Sequence, residues 1–456
     1  MSGQLTFPDG FVWGAATSSY QIEGAVAEDG RTPTIWDTFS HTPGVIVGGD
    51  TGDVACDHYH RLDEDLDLLV HLGIRSYRFS TSWTRILPDG TGKVNQKGVD
   101  FYSRLVDGLL ARGIAPMATI YHWELPQALQ DEGGWVRRET ADAFAELAGV
   151  VGSALGDRVP EFLTLNEPWC SAFLGYATGV HAPGLSDRGA ALAAAHHLNL
   201  AHGKAVRALR AVLPSGAAVG VTHNLTQADP ADPRSESDVA AARHVTDISN
   251  GIFTDPALRG RYPDGLIEAT RHLSDWSFVR DGDLAEICAP IDLLGINYYQ
   301  PASIAAPGPG RDGFWPGTDL AVALPQRGPY TGMGWSIIPD GLTRLLLATH
   351  QRYPEIPLVI TENGCAFDDA ATEGRVHDAD RTDYLRRHIA AVHDAMAAGA
   401  DVRGYYVWSL LDNFEWAEGY GARFGIVHVD FETQRRTVKD SGLWFRDVIA
   451  ANGPPQ

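Results

Sequence analysis

Cysteine is scarce in this 456-residue chain. The four residues, Cys56, Cys170, Cys288 and Cys365, are scattered and form no C-x-x-C pair. That spacing excludes a disulfide framework and a cysteine zinc site, and it points to free thiols in a reducing cytoplasm. Basic residues are in deficit, 36 against 58 acidic, for a net charge of −22. Such a balance argues against a nucleic-acid or anionic-membrane partner, which needs a basic patch. The start, Met1 to Asp9, lacks the basic and apolar segments of a secretion signal. No run of about 18 apolar residues suggests a membrane span. Linkers, low-complexity blocks and short repeats are also missing. The oligomeric state is left open by all of this.

What is present is an alternation of short apolar runs with amphipathic helices. Candidate strands end near Ala16, Ser80, Tyr121, Asn166, Asn224, Tyr299, Glu362 and Ser409, spaced by roughly 40 to 75 residues. Leu62, Leu66, Leu69 and Val70 share a helical face ahead of Gly73. Tyr102, Leu105, Leu109 and Leu110 repeat the pattern ahead of Gly113, and Phe144, Leu147 and Val151 ahead of Gly156. Strands alternating with helices imply a parallel sheet with right-handed crossovers. Eight units predict an α/β fold that closes as a single (β/α)8 barrel with long βα loops, one catalytic domain over 1–456. An open doubly wound sheet is the alternative, but no G-x-G-x-x-G follows the first strand. Residues 300–335, rich in proline and glycine, and the acidic stretch 366–380 follow the sixth and seventh strands. Both are expected at the rim of the active-site face.

Two strand ends carry glutamates: Thr164-Leu165-Asn166-Glu167-Pro168 on the fourth and Ile360-Thr361-Glu362-Asn363-Gly364 on the seventh. A lone glutamate there is commonly a salt-bridge partner. Two facing across a barrel mouth are what glycoside hydrolysis needs, one to protonate the leaving oxygen and one to attack the anomeric carbon or activate water. The two motifs resemble the acid/base and nucleophile motifs of glycoside hydrolase family 1. The likeness covers nearly the whole chain. It runs from Phe11-Val12-Trp13-Gly14 to Glu23-Gly24, through Tyr77-Arg78-Phe79-Ser80, Tyr121-His122-Trp123 and Gly295-Ile296-Asn297-Tyr298-Tyr299, to Trp408-Ser409-Leu410-Leu411-Asp412-Asn413-Phe414-Glu415-Trp416.

The resemblance implies a retaining β-glucosidase acting on β-glucosides and cello-oligosaccharides. It makes Glu167 the acid and then the base, and Glu362 the nucleophile. Gln21, His122, Asn166, Glu415 and Trp416 would bond the sugar hydroxyls, with Trp408 as the floor under the ring. Arg78 and Tyr299 would hold Glu362. These types suit a sugar, which is a ring of hydroxyls with apolar faces. Trp169 and Trp335, and Phe424 on the same wall, are candidates for the aglycone entrance. No metal or organic cofactor is expected, because two carboxyls suffice. Cys56-Asp57-His58-Tyr59-His60 resembles a metal cluster only loosely and is read as packing. Cys170 and Cys365 are read as small fillers, and Asn224 is given no role.

Three other functions share these features. A 6-phospho-β-glycosidase would need a cation or hydroxyls where Glu415 stands, and an ionised Glu415 would repel the phosphate. A non-catalytic glycan-binding relative could have lost either glutamate. A thioglucosidase typically carries glutamine at the acid/base position, occupied here by Glu167.

Overall fold

The computed structural model describes residues 5–311 and 313–455. Eight strands run parallel: β1 Val12–Ala16, β2 Ser76–Ser80, β3 Ala115–Tyr121, β4 Glu161–Asn166, β5 Ala218–Asn224, β6 Leu293–Asn297, β7 Leu358–Asn363 and β8 Val402–Trp408. Each pairs with its neighbours in chain order, and β8 pairs with β1 to close the barrel. A (β/α)8 barrel is therefore the fold. The strand ends fall within two residues of the expected positions; β6 stops at Asn297 rather than Tyr299.

The registers are regular around most of the barrel and slip where the glutamates sit. Pairing of β4 with β5 shifts between Leu163 and Asn166, and pairing of β7 with β6 shifts between Ile360 and Glu362. Such irregularities re-aim side chains at a strand end. They turn two otherwise ordinary buried strands into holders of polar groups.

The outer helices bury the expected stripes, with two corrections. Leu66 and Leu69 are buried, but Val70 is 51% exposed; Leu105 and Leu109 are buried, but Leu110 is 43% exposed. In both helices the last residue is turned about 80° from the start of the apolar stripe, at its edge. Gly73 and Gly113 adopt φ of +66° and +70° and end their helices in the left-handed conformation. Gly156 does not: it stays right-handed. Its need is space, since a Cβ would lie 2.4 Å from the Gly152 carbonyl and from Leu213.

The long loops divide the mouth unequally. Segment 300–335 contributes Ala302–Ala305 and Val322–Leu324 to a small three-stranded sheet with Ala228–Pro230, and many of its residues line the central cavity. Segment 366–380, which follows β7 and is mostly exposed, contributes no residue to the cavity lining. Two of its acidic residues turn inward to a buried ion network, where Asp369 and Asp378 pair with Arg381, and Asp369 also with Lys439, while Asp368, Glu373 and Asp380 are exposed. No helix among the described residues is long and apolar enough to cross a membrane.

Candidate active site

Arg78 is the hub of the barrel mouth. It leaves β2 fully buried and reaches three other strands: its Nε donates to Thr119, Nη1 to the Thr361 carbonyl and Glu362 Oε1 (2.6 Å), and Nη2 to Asn166 Oδ1 (2.6 Å). The other oxygen of Glu362 accepts from the Tyr299 hydroxyl at 2.7 Å. Burial raises the Glu362 carboxyl, while Arg78 and then Tyr299 oppose the rise. Among Glu167, Glu362 and Glu415, Glu362 is the one touching a cation, so it is the one of the three that holds negative charge best.

Glu167 sits differently. It lies one residue past β4 with φ +46°, and its carbonyl accepts from Cys170 N to open the wide-turned helix Cys170–Thr178. Its Oε1 accepts from Asn297 Nδ2 at 2.6 Å and its Oε2 from the Cys170 thiol at 3.2 Å. Burial pushes the carboxyl up to about 8, with the charge of Glu362 adding to the rise. The two glutamates thus have opposed surroundings, one beside a guanidinium and one beside neutral donors. Trp123 and Trp416, which line the same cavity, also have positive φ (+76° and +51°). A left-handed non-glycine residue costs about 1–3 kcal/mol, and such residues concentrate at functional sites.

At the inner end of the cavity stand His122, Trp408, Glu415 and Trp416. Asn166 and Gln21 lie just behind them, both fully buried. The Asn166 amide is oriented by its partners. Its oxygen accepts from Arg78 and Asn297, so its nitrogen donates to His122 Nε2 at 3.0 Å. His122 then carries its proton on Nδ1, which has no partner among the described residues. Burial and Arg78 keep that ring neutral. Its plane lies near-parallel to the Trp408 indole, 17° apart at 5.8 Å. Gln21 donates to Asn413 Oδ1, the Phe414 carbonyl and Glu415 Oε2 (3.2 Å), and accepts from Ser18. Burial first, and then the charges of Glu362 and Glu167, hold Glu415 well above the usual carboxylate range.

The outer part of the cavity, whose volume is about 630 Å³, is aromatic. Tyr299, Trp335 and Phe424 pack on one side, with centroids 5.4 to 5.9 Å apart. Trp169 and Trp315 meet at 6.1 Å on the other. All three aglycone-wall candidates line it. This size suits a small-molecule site longer than one sugar ring.

Comparison with known proteins agrees with this geometry. The family described as glycosyl hydrolase family 1 matches residues 3–454. The chain belongs to that family. A bifunctional β-D-glucosidase/β-D-fucosidase of Bifidobacterium breve is 51% identical over 463 residues, 98% of each chain. β-Glucosidase A of Thermotoga maritima is 48% identical over 98% of each. The solved structure of the Thermotoga maritima family 1 β-glucosidase superposes with a TM-score of 0.95 at 47% identity over the full length of both chains, and its deoxynojirimycin complex with 0.94.

As a family 1 glycoside hydrolase the chain brings together all thirteen residues singled out from sequence, although Gln21, Asn166 and Arg78 stand behind the cavity wall rather than in it. Asn297, Asn413, Trp123 and Cys170 were missed. Asn297 and Asn413 lie inside motifs already recognised, which was the available signal. Cys170 is not a filler, because its thiol bonds Glu167; Cys365 is simply buried. The Cys56 to His60 stretch splits apart. Cys56 donates to the Asp412 carbonyl, His58 pairs with Asp65, and His60 faces Asp57 and Glu28 at the surface.

Proposed function

We propose that the chain, working as one catalytic domain in the reducing cytoplasm, hydrolyses terminal β-D-glucosyl residues from β-glucosides and cello-oligosaccharides with retention. The observation that carries the assignment of roles is the asymmetry between the two glutamates. Glu362, ionised beside Arg78 and Tyr299, attacks the anomeric carbon. The glycosidic C–O bond breaks as Glu167 passes its proton to the leaving oxygen, and a glycosyl ester forms on Glu362. Esterification removes the charge that helped raise Glu167. The Glu167 carboxyl then becomes more acidic and serves as base, taking a proton from the water that attacks the ester. Retention is checked by proton NMR of the first-formed glucose. The β anomer is expected, and an initial α anomer overturns the scheme.

The glucose ring would lie on Trp408, with its hydroxyls meeting His122, Glu415 and Trp416 and the buried amides of Asn166 and Gln21 fixing those partners. β-D-Fucosides, which lack the 6-hydroxyl, would be secondary substrates, as the Bifidobacterium breve relative's name suggests for that protein. The 6-phosphate reading has no support here. None of the described residues lining the cavity is lysine or arginine. Lys439 is engaged by Asp369 and Asp412, and Arg436 by Asp65. A phosphate dianion would lose its water without gaining a countercharge.

A further inference from the structure

The Glu167 carboxyl has two distinguishable oxygens, and the neighbours decide which one carries the catalytic proton. The Asn297 amide is fully committed. Its oxygen accepts from Thr361 at 2.7 Å, and its two N–H groups go to Asn166 Oδ1 (3.0 Å) and Glu167 Oε1 (2.6 Å). Oε1 thus always faces a donor, and a protonated Glu167 must carry its hydrogen on Oε2. Oε2 meets the thiol of Cys170, which lies three residues later on the first turn of the following helix and borders the same cavity. The sulfur in turn accepts from Asn224 Nδ2 at 3.4 Å. Asn224 comes from the end of β5, so the contact joins two strand ends through the thiol.

We propose that Cys170, oriented by Asn224, is a positioning residue for the proton-bearing oxygen of Glu167. When Glu167 is ionised, the S–H donates to Oε2 and steadies the carboxylate for its turn as base. When Glu167 is protonated, the sulfur, a weak acceptor, lets the hydrogen swing to the leaving oxygen. A hydroxyl in the same place would bond both forms more strongly, and the carboxylate most, because an ionised acceptor strengthens the bond. The thiol itself stays protonated, because burial and then the charge of Glu167 push it up. It is therefore a hydrogen-bond partner and not a nucleophile.

Glu167 also feels Glu362 and Glu415, which disfavour its ionisation, and Arg78, which favours it; the Tyr299 phenol faces it as well. These groups are common to every Cys170 variant, so a difference between variants isolates the sulfur contact. The proposal rests on Glu167 being the acid/base.

The experiment is the pH dependence of kcat/KM on an unactivated glucoside such as cellobiose, for wild type, Cys170→Ala and Cys170→Ser. The alkaline limb reports loss of the Glu167 proton in the free enzyme. Removing the donor should move that limb up by roughly half a pH unit, and the stronger hydroxyl donor should move it down by a similar amount. A limb that stays put in both variants, or moves the same way in both, overturns the proposal. Glu167→Gln is run in parallel. If it loses cellobiose and activated aryl glucosides equally, the acid/base assignment falls. If it discriminates between them while the Cys170 limbs do not diverge, only the thiol's role falls.

Discussion

The inner and outer halves of the cavity are built on different principles. Inward, most polar atoms have a partner fixed by another segment of the chain: Arg78 orients Asn166, Asn166 orients His122, and Asn413 and Phe414 hold Gln21 against Glu415. Outward, the wall is aromatic surface carried on loops, with Trp335 half-buried, Tyr330 51% exposed, and the buried indole N–H of Trp169 without a partner among the described residues. A hydrogen-bonding site rejects a misfit by leaving buried groups unpaired, worth roughly 10⁴- to 10⁵-fold, whereas an apolar pocket discriminates by only about 10- to 200-fold per methylene. The inner half should therefore select the sugar strictly, and the outer half should tolerate many leaving groups.

The largest effect expected on this contrast comes from Glu362→Ala, which should lower turnover by on the order of 10⁴-fold or more. Azide should restore some reaction and yield the α-glucosyl azide, because the small anion fills the vacated space and attacks directly. Steady-state rates with and without azide, and NMR of the product, check both points. Near-normal activity would remove Glu362 from the nucleophile role.

Glu167→Gln should split substrates by leaving group. Cellobiose cleavage should fall by about 10²- to 10⁴-fold, while glycosyl-enzyme formation from a dinitrophenyl glucoside largely survives, since that phenol leaves unaided. Pre-steady-state burst measurements separate the two steps. In the wild type, activity should fall as pH rises through about 8, because the acid form of Glu167 is the one lost there.

Glu415→Ser tests the inner selectivity. The wild type should favour nitrophenyl β-glucoside over its 6-phosphate by roughly a hundredfold, about 3 kcal/mol. The variant should cleave the glucoside more weakly and exclude the phosphate less. Comparing kcat/KM for the two substrates on both proteins decides it, and a wild-type preference for the phosphate would reinstate the phosphoglycosidase reading.

The smallest effect belongs to the outer wall. Trp335→Ala should raise KM for aryl glucosides by about fivefold, equivalent to ~1 kcal/mol of lost aromatic contact, with kcat little changed. A large fall in kcat instead would mean that Trp335 supports Tyr299, which it touches at 5.4 Å, and through it Glu362. The two halves would then be less separate than their construction suggests.

Sequence alone determined the alternation that makes a barrel, the ends of its strands and the chemistry at two of them. Hydrophobic period and motif are local properties, and Glu167 and Glu362 each stand within a motif that is readable by itself. Tertiary structure decided what those motifs could not contain. Val70 and Leu110 lie at the margin of their stripes, where only the packing geometry settles exposure. Most of segment 366–380 is solvent-facing, as its acidity suggests, but Asp369 and Asp378 turn inward because Arg381 and Lys439, later in the chain, supply buried countercharge. Asn297 meets Glu167 across 130 residues of chain, and Asn224 meets Cys170 across 54. Barrel closure and the slipped registers beside Asn166 and Glu362 bring such side chains together, so the oxygen of Glu167 that holds the proton is a property of the fold and not of the motif.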